Sequence, residues 1–210
     1  HLSQFKSFDE SYYFSKLNDS MEDIDLNLED FIAKVNSDLV GKFINIPSRT
    51  SGFIKKYFNN TLVPTNEISI QDAKVIVDDL IAIKDEVISL YEARLFSKLN
   101  RLLMSYTEKV NEYVNRLEPW VLAKNNDEHR SMSQLHQVCS AALQAFRVLS
   151  IYYSPIMPDL ILKIAEFYGE SSYQSIDAIH ENIKNISDYN HLLTRLEKDA
   201  IDLMLSKNSS

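Results

Sequence analysis

The sequence predicts an all-α fold, a helical bundle of about five to six helices. Apolar residues recur at three- and four-residue intervals over long stretches, and no segment keeps the period-two alternation of a half-buried strand. Only three glycines and five prolines interrupt 210 residues, too few for a turn-rich β fold. With 45% hydrophobic and 25% charged residues, such a bundle can build a sizeable core. No apolar run approaches the roughly 20 residues of a membrane span, and the start carries no signal-peptide pattern.

Phe8 to Leu17 reads as a short amphipathic stretch and Asn18 to Asp25 as an exposed connector. Asn27 is an N-cap residue, and Glu29 and Asp30 place acids in the first turn, where the helix dipole favours them. Leu28, Phe31, Val35, Leu39, Phe43, Ile46 and Phe53 then predict one long helix to about Phe58. Pro47 falls inside it and removes a backbone donor, so a kink or break is expected there. Ser69 or Gln71 opens the next helix, with Ala73, Ile76, Leu80, Val87 and Tyr91 as its stripe and a break near Leu90. Leu95, Leu99, Leu102, Tyr106, Val110, Tyr113 and Leu117 form the strongest pattern, that of a bundle helix packed on a neighbour.

A polar loop, Lys124 to Arg130, follows Trp120. Leu135, Cys139, Ala142, Phe146, Leu149 and Tyr153 make another stripe, closed by Pro155 and Pro158. A short helix from Asp159 to Tyr168 should end at Gly169 in the C′ position. Glu170 to Asn190 is irregular, and a last helix is expected from about His191 to Leu205.

Several chemistries lack their residues. There is no glycine-rich phosphate loop, and neither H-E-x-x-H nor G-x-S-x-G occurs. His129 and His136 lie seven apart without a carboxylate partner at helical spacing, and Glu22, Asp23 and Asp25 lack the glycine and spacing of a calcium loop. Cys139 is the only cysteine, which excludes a disulfide framework and a thiolate zinc site and reads as a small core residue in a cytoplasmic protein. No catalytic or metal residues are assigned. His1 in place of methionine suggests a piece of a longer protein.

A formal charge of −8 argues against generic nucleic-acid binding, which needs cations against phosphates. Yet Leu39 to Asn66 holds no acidic residue and carries Lys42, Arg49, Lys55 and Lys56. Within this basic island Asn45 and Arg49 are four residues apart and share a helix face, with Gly41 one turn earlier. Asparagine and arginine are side chains that read base edges through paired hydrogen bonds. Trp120, the only tryptophan, follows Pro119 at a helix end. It can be core, or it can be a presented platform for an unstacked base.

These residues carry a resemblance. The blocks Asp25-Leu26-Asn27-Leu28-Glu29-Asp30-Phe31 and Val35-Asn36-Ser37-Asp38-Leu39-Val40-Gly41-Lys42 resemble methionyl-tRNA synthetase of the bacterial type. So do Asn45-Ile46-Pro47-Ser48-Arg49, Gly52-Phe53-Ile54, Glu118-Pro119-Trp120-Val121-Leu122-Ala123-Lys124, Phe146-Arg147-Val148-Leu149 and Ser154-Pro155-Ile156-Met157-Pro158. The likeness runs from about residue 12 to the end and is to the α-helical anticodon-binding domain of that class I family. It implies an anticodon-binding domain over residues 21–210 and a remnant of the connection to a catalytic domain over residues 1–20.

What the resemblance implies for function is recognition of the CAU anticodon stem-loop of tRNA(Met), so that the catalytic domain can attach methionine using ATP. Asn45, Arg49 and Trp120 would form the pocket, Pro119 would shape the platform, and Lys55, Lys56 and Lys124 would be available for phosphates. Two departures stand out: Glu10 and Ser11 replace the usual Leu-Arg, and Pro47 replaces the usual Ala. The catalytic signatures and the zinc knuckle are absent, so no cofactor is expected in this chain; ATP, magnesium and zinc would go with the catalytic part. This segment alone should not aminoacylate. Membrane and DNA are not expected partners. A protein-binding helical domain without RNA, and the anticodon domain of a sister synthetase, are the alternatives.

Overall fold

The structure is a computed structural model, and it describes residues 12–13, 15, 28–125, 129–173 and 175–197. Most of the stretch from Phe8 to Leu17, the connector with Glu22, Asp23 and Asp25, the Asn27 cap, residues 126–128 and the end of the expected last helix lie outside the described residues.

Helix α1 (Leu28–Lys34) runs directly into a π-helical segment, Val35–Phe43, before α2 (Asn45–Phe58). The expected single long helix is therefore three pieces. Phe31, Val35, Leu39 and Phe43 are all buried at intervals of four residues, slightly wider than the ~3.6 of an α-turn. A wider turn brings such a row nearer one line. Its signature is the Ile44 N–H donating to the Leu39 carbonyl at 2.8 Å, five residues back. Gly41 fits the same turn, because a Cβ there would lie 3.1 Å from the Asn36 carbonyl oxygen.

The break falls at Ile44, ahead of Pro47, which sits buried in the first turn of α2. Early helical N–H groups have no intrahelical partner, so proline costs little there. In the five-residue register position 47 would donate to the Lys42 carbonyl. Proline cannot, and that carbonyl accepts the Asn111 amide at 2.9 Å.

Helices α3 (Gln71–Ala82) and α4 (Lys84–Glu92) are separated at Ile83, a break additional to the one expected near Leu90. A second break follows α4, where Arg94 takes φ 56° before α5 (Phe96–Leu117). Pro119–Leu122 forms the short helix α6, and α7 (His129–Tyr153) crosses the middle of the bundle. It packs against α2, α3, α5, α6 and the following α8 (Pro158–Phe167). From Val138 to Tyr153 every residue of α7 is buried, polar ones included. A helix enclosed on all sides needs small residues where neighbours come close, and Ser140, Ala141, Ala142 and Ala145 supply them. Phe43 and Phe146 meet at 4.7 Å between ring centroids, and Phe43 and Tyr153 at 5.3 Å.

Helix α8 stops as expected. Gly169 has φ 71°, and the Glu170 N–H reaches back to the Ala165 carbonyl at 2.9 Å, a Schellman closure. From Glu181 to Glu197 the chain is an extended strap rather than a helix, which corrects the expectation of a helix from His191. Leu62 N–H donates to the Lys184 carbonyl at 2.7 Å and Ile186 N–H to the Asn60 carbonyl at 3.0 Å. The Asn36 side chain then grips both the N–H and the carbonyl of Leu196, at 2.8 and 2.9 Å. A helix interior would have used those backbone groups internally.

Candidate nucleic-acid interface

Helices α2 and α5 lie side by side and parallel, joined by three polar rungs with one constant offset. Lys42, at the end of the π segment, pairs with Glu108 at 2.6 Å across 66 positions. Asn45 Nδ2 donates to Asn111 Oδ1 at 2.9 Å, again across 66 positions. Arg49 Nη2 donates to Asn115 Oδ1 at 2.7 Å, with the same offset of 66. The amide of Asn111 also caps the carbonyls of Lys42 and Thr107 at 2.9 and 3.0 Å. That contact fixes the first turn of α2 against α5, and with it the pitch of Asn45 and Arg49.

Helix α5 ends as Glu118 turns left-handed at φ 43°, and Pro119 starts α6 at its first position. Pro119 is buried, which anchors the turn against α7. Trp120 is half-buried and packs on the edge of the core. Its indole is therefore neither enclosed nor freely presented. The guanidinium carbon of Arg49 lies 5.1 Å from the ring centroid, a cation–π contact that ties α2 to α6.

Arg49 and Trp120 thus come together, with Asn45 one turn earlier on α2 and Pro119 just before the indole in the chain. Partial burial lowers the Arg49 pKa from its ordinary value, and among the described residues no carboxylate pairs with it. Its positive charge meets a neutral amide and a π face and is left uncompensated. Lys42 differs: its hydrogen bond with Glu108 raises its pKa, against a smaller opposing effect of burial.

The three expected phosphate contacts divide. Lys56 is exposed over the Tyr57 ring at 4.8 Å, on the same face of α2 as Arg49. Lys124 is exposed one turn beyond Trp120. Lys55 is held at 2.6 Å by Asp188 of the strap. Sequence reasoning missed Glu108, Asn111 and Asn115. A signal was present, since positions 108, 111 and 115 share one face of the α5 pattern, but nothing in that pattern says which helix it meets.

Among the described residues no nucleophile and base stand together beside Arg49 and Trp120. Cys139 is fully buried, and burial pushes its thiol well above the usual range. A flat indole backed by a cation, flanked by amides, can hold a planar hydrogen-bonding group without transforming it.

Comparison with known proteins bears on what that group is. Residues 3–51 match the family model "tRNA synthetases class I (M)", which spans both Asn45 and Arg49. The chain is 42% identical over 200 residues to a methionine–tRNA ligase of Ralstonia nicotianae, covering 94% of this chain and 28% of that protein. It is 40% identical over 212 residues to that of Nitrosospira multiformis, again covering 94% of this chain and 28% of the relative. The fold matches the free form of Mycobacterium tuberculosis methionyl-tRNA synthetase with a TM-score of 0.79 at 17% identity, over 93% of this chain and 41% of that one.

Proposed function

We propose a function on the premise that the chain belongs to the methionine–tRNA ligase family, of whose first curated relatives it spans 28% of the length. The chain is the anticodon-binding domain of such a ligase. It receives the unpaired bases of the CAU anticodon of tRNA(Met), so that the catalytic part of the longer protein attaches methionine with ATP in the cytoplasm. The observation that carries the reading is the Arg49 guanidinium lying on the Trp120 indole, with Asn45 one turn away on the same ladder. The first anticodon base stacks on the exposed part of the indole, where it excludes water from one ring face. Arg49 and Asn45 meet its polar edge.

ATP, magnesium and zinc belong to the catalytic part in this reading. Among the described residues no group of three His, Cys, Asp or Glu side chains could hold a metal ion. Nor is any helix among them long and apolar enough to cross a membrane.

Trp120 is the only tryptophan, so its fluorescence reports the site directly. Titration with a CAU stem-loop is expected to quench it, and a stem-loop altered at the first anticodon base to do so at higher concentration. An unchanged signal from a folded chain refutes stacking. Equal response to all anticodons reduces the site to a backbone contact.

A further inference from the structure

The three glycines of this chain have three different explanations, and only two are internal. Gly169 has the positive φ of a helix C′ position, and Gly41 avoids the Asn36 carbonyl. Gly52 sits in the middle of α2 with ordinary helical backbone, and a Cβ there would meet nothing within 4 Å. Glycine in a helix interior is destabilising relative to alanine through backbone entropy. Neither packing nor backbone conformation accounts for it at this position.

Its place on the helix does. At ~100° per residue, Gly52 lies roughly 20° from Asn45, 60° from Arg49 and 40° from Lys56 around α2. Along the axis it is ~4.5 Å past Arg49 and ~6 Å before Lys56. It is exposed, on the side of α2 turned away from Ile46, Thr50 and Ile54, which are buried. The stripe therefore runs from two polar side chains, across a bare stretch of backbone, to an exposed ammonium.

We infer that Gly52 is the point at which the ribose–phosphate backbone of a single RNA strand lies directly against helix α2, between the base held at Asn45 and Arg49 and a phosphate held by Lys56. The main-chain N–H groups there are used within the helix, so Gly52 contributes closeness rather than hydrogen bonds. A side chain at 52 lifts the strand off the helix and moves the phosphate away from Lys56. The same bare surface keeps the strand near enough for the base to reach the indole.

This inference rests on the anticodon-binding reading and makes a demand that reading does not. Gly52→Ala and Gly52→Gln both place good helix formers at an open position, so both raise the thermal midpoint, by about 2–4 °C for ~1 kcal/mol in a chain of this size. Binding moves the opposite way. Affinity of the 210-residue chain for a CAU stem-loop falls about threefold for Gly52→Ala and tenfold or more for Gly52→Gln, with preference for the first anticodon base retained. The Gln variant also loses most of the further effect of Lys56→Ala. Binding by Gly52→Gln within twofold of the unaltered chain overturns the inference, as does a lowered midpoint for Gly52→Ala. The anticodon-binding reading stands through either result if Arg49→Ala still relaxes the preference for the first anticodon base. A chain that binds no stem-loop overturns both.

Discussion

Arg147 and Arg49 each hold a guanidinium above an aromatic side chain, 5.5 Å from Tyr173 in one case and 5.1 Å from Trp120 in the other. Arg147 is 1% exposed, and its donors go to Glu170 at both carboxylate oxygens and to the Ala178 carbonyl. Burial works against its charge, but the hydrogen bonds and the negative charge of Glu170 overcome this and raise its pKa. Arg49 is half-exposed, bonded to the neutral amide of Asn115, and lowered by partial desolvation with nothing to offset it. The same residue type over the same kind of ring is thus a finished structural joint in one place and an unbalanced charge in the other. Committed donors hold the fold; uncommitted charge beside a half-covered indole is what a ligand can use.

The largest expected effect tests the structural half. Arg147→Ala leaves Glu170 without its partner beneath the C-terminal segment and should cost about 3–5 kcal/mol, read from urea unfolding. RNA affinity of the chain that remains folded at low temperature should be unchanged. Selective loss of RNA binding at full stability would erase the contrast between the two arginines.

Next comes the indole. Trp120→Ala should weaken stem-loop binding by about 1–3 kcal/mol, the scale of one base–aromatic stack, while Trp120→Phe keeps a smaller platform and recovers part of it. Isothermal titration separates this from any loss of packing at the core edge, which unfolding of the same variants measures. Equal binding by Ala and Phe variants would mean that the ring does not stack.

Arg49→Ala should change stability by no more than about 0.5 kcal/mol, because its partner Asn115 is exposed and can turn to water. Its effect appears in discrimination, a loss of about 1–3 kcal/mol between cytosine and other first anticodon bases. Uniform weakening for all four bases, with a shallower salt dependence, would instead assign Arg49 to a phosphate.

Which of these features could be read from the sequence follows from how local their causes are. Gly169 as a helix stop, Pro119 as a helix start and the enclosed stripe of α7 depend on neighbours in the chain, and their residue types announce them. Asn45 and Arg49 could be placed on one face by counting, but their convergence with Trp120 crosses 71 positions and came only through family resemblance. Asn111 and Asn115 stayed invisible because the offset that pairs them with α2 belongs to tertiary packing. The strap failed for the same reason: Leu192, Leu193 and Leu196 have helical spacing, yet the Asn36 amide claims the backbone of Leu196. The π segment escaped because a row of four-residue intervals is shared by α and π turns.

The smallest predicted effect concerns Pro47, which lies in the first turn of α2 between Asn45 and Arg49 and so bears on their pitch. Proline at a position it fits stabilises by about 0.4–1 kcal/mol through the unfolded chain. Pro47→Ala removes that contribution and introduces an N–H aimed back at the end of the π segment. There it competes with Asn111 for the Lys42 carbonyl, the contact that seats the first turn of α2 against α5. Asn111 keeps its separate bond from Asn45 through its carbonyl oxygen, and Arg49 is held by Asn115, so the two rungs do not hang on that contact alone. Pro47→Ala should therefore lower stability by no more than about 1 kcal/mol and leave anticodon preference intact. A tenfold change in preference with little change in stability would place the pitch of the reading pair under Pro47 itself, and would make the ladder a consequence of the proline rather than its frame.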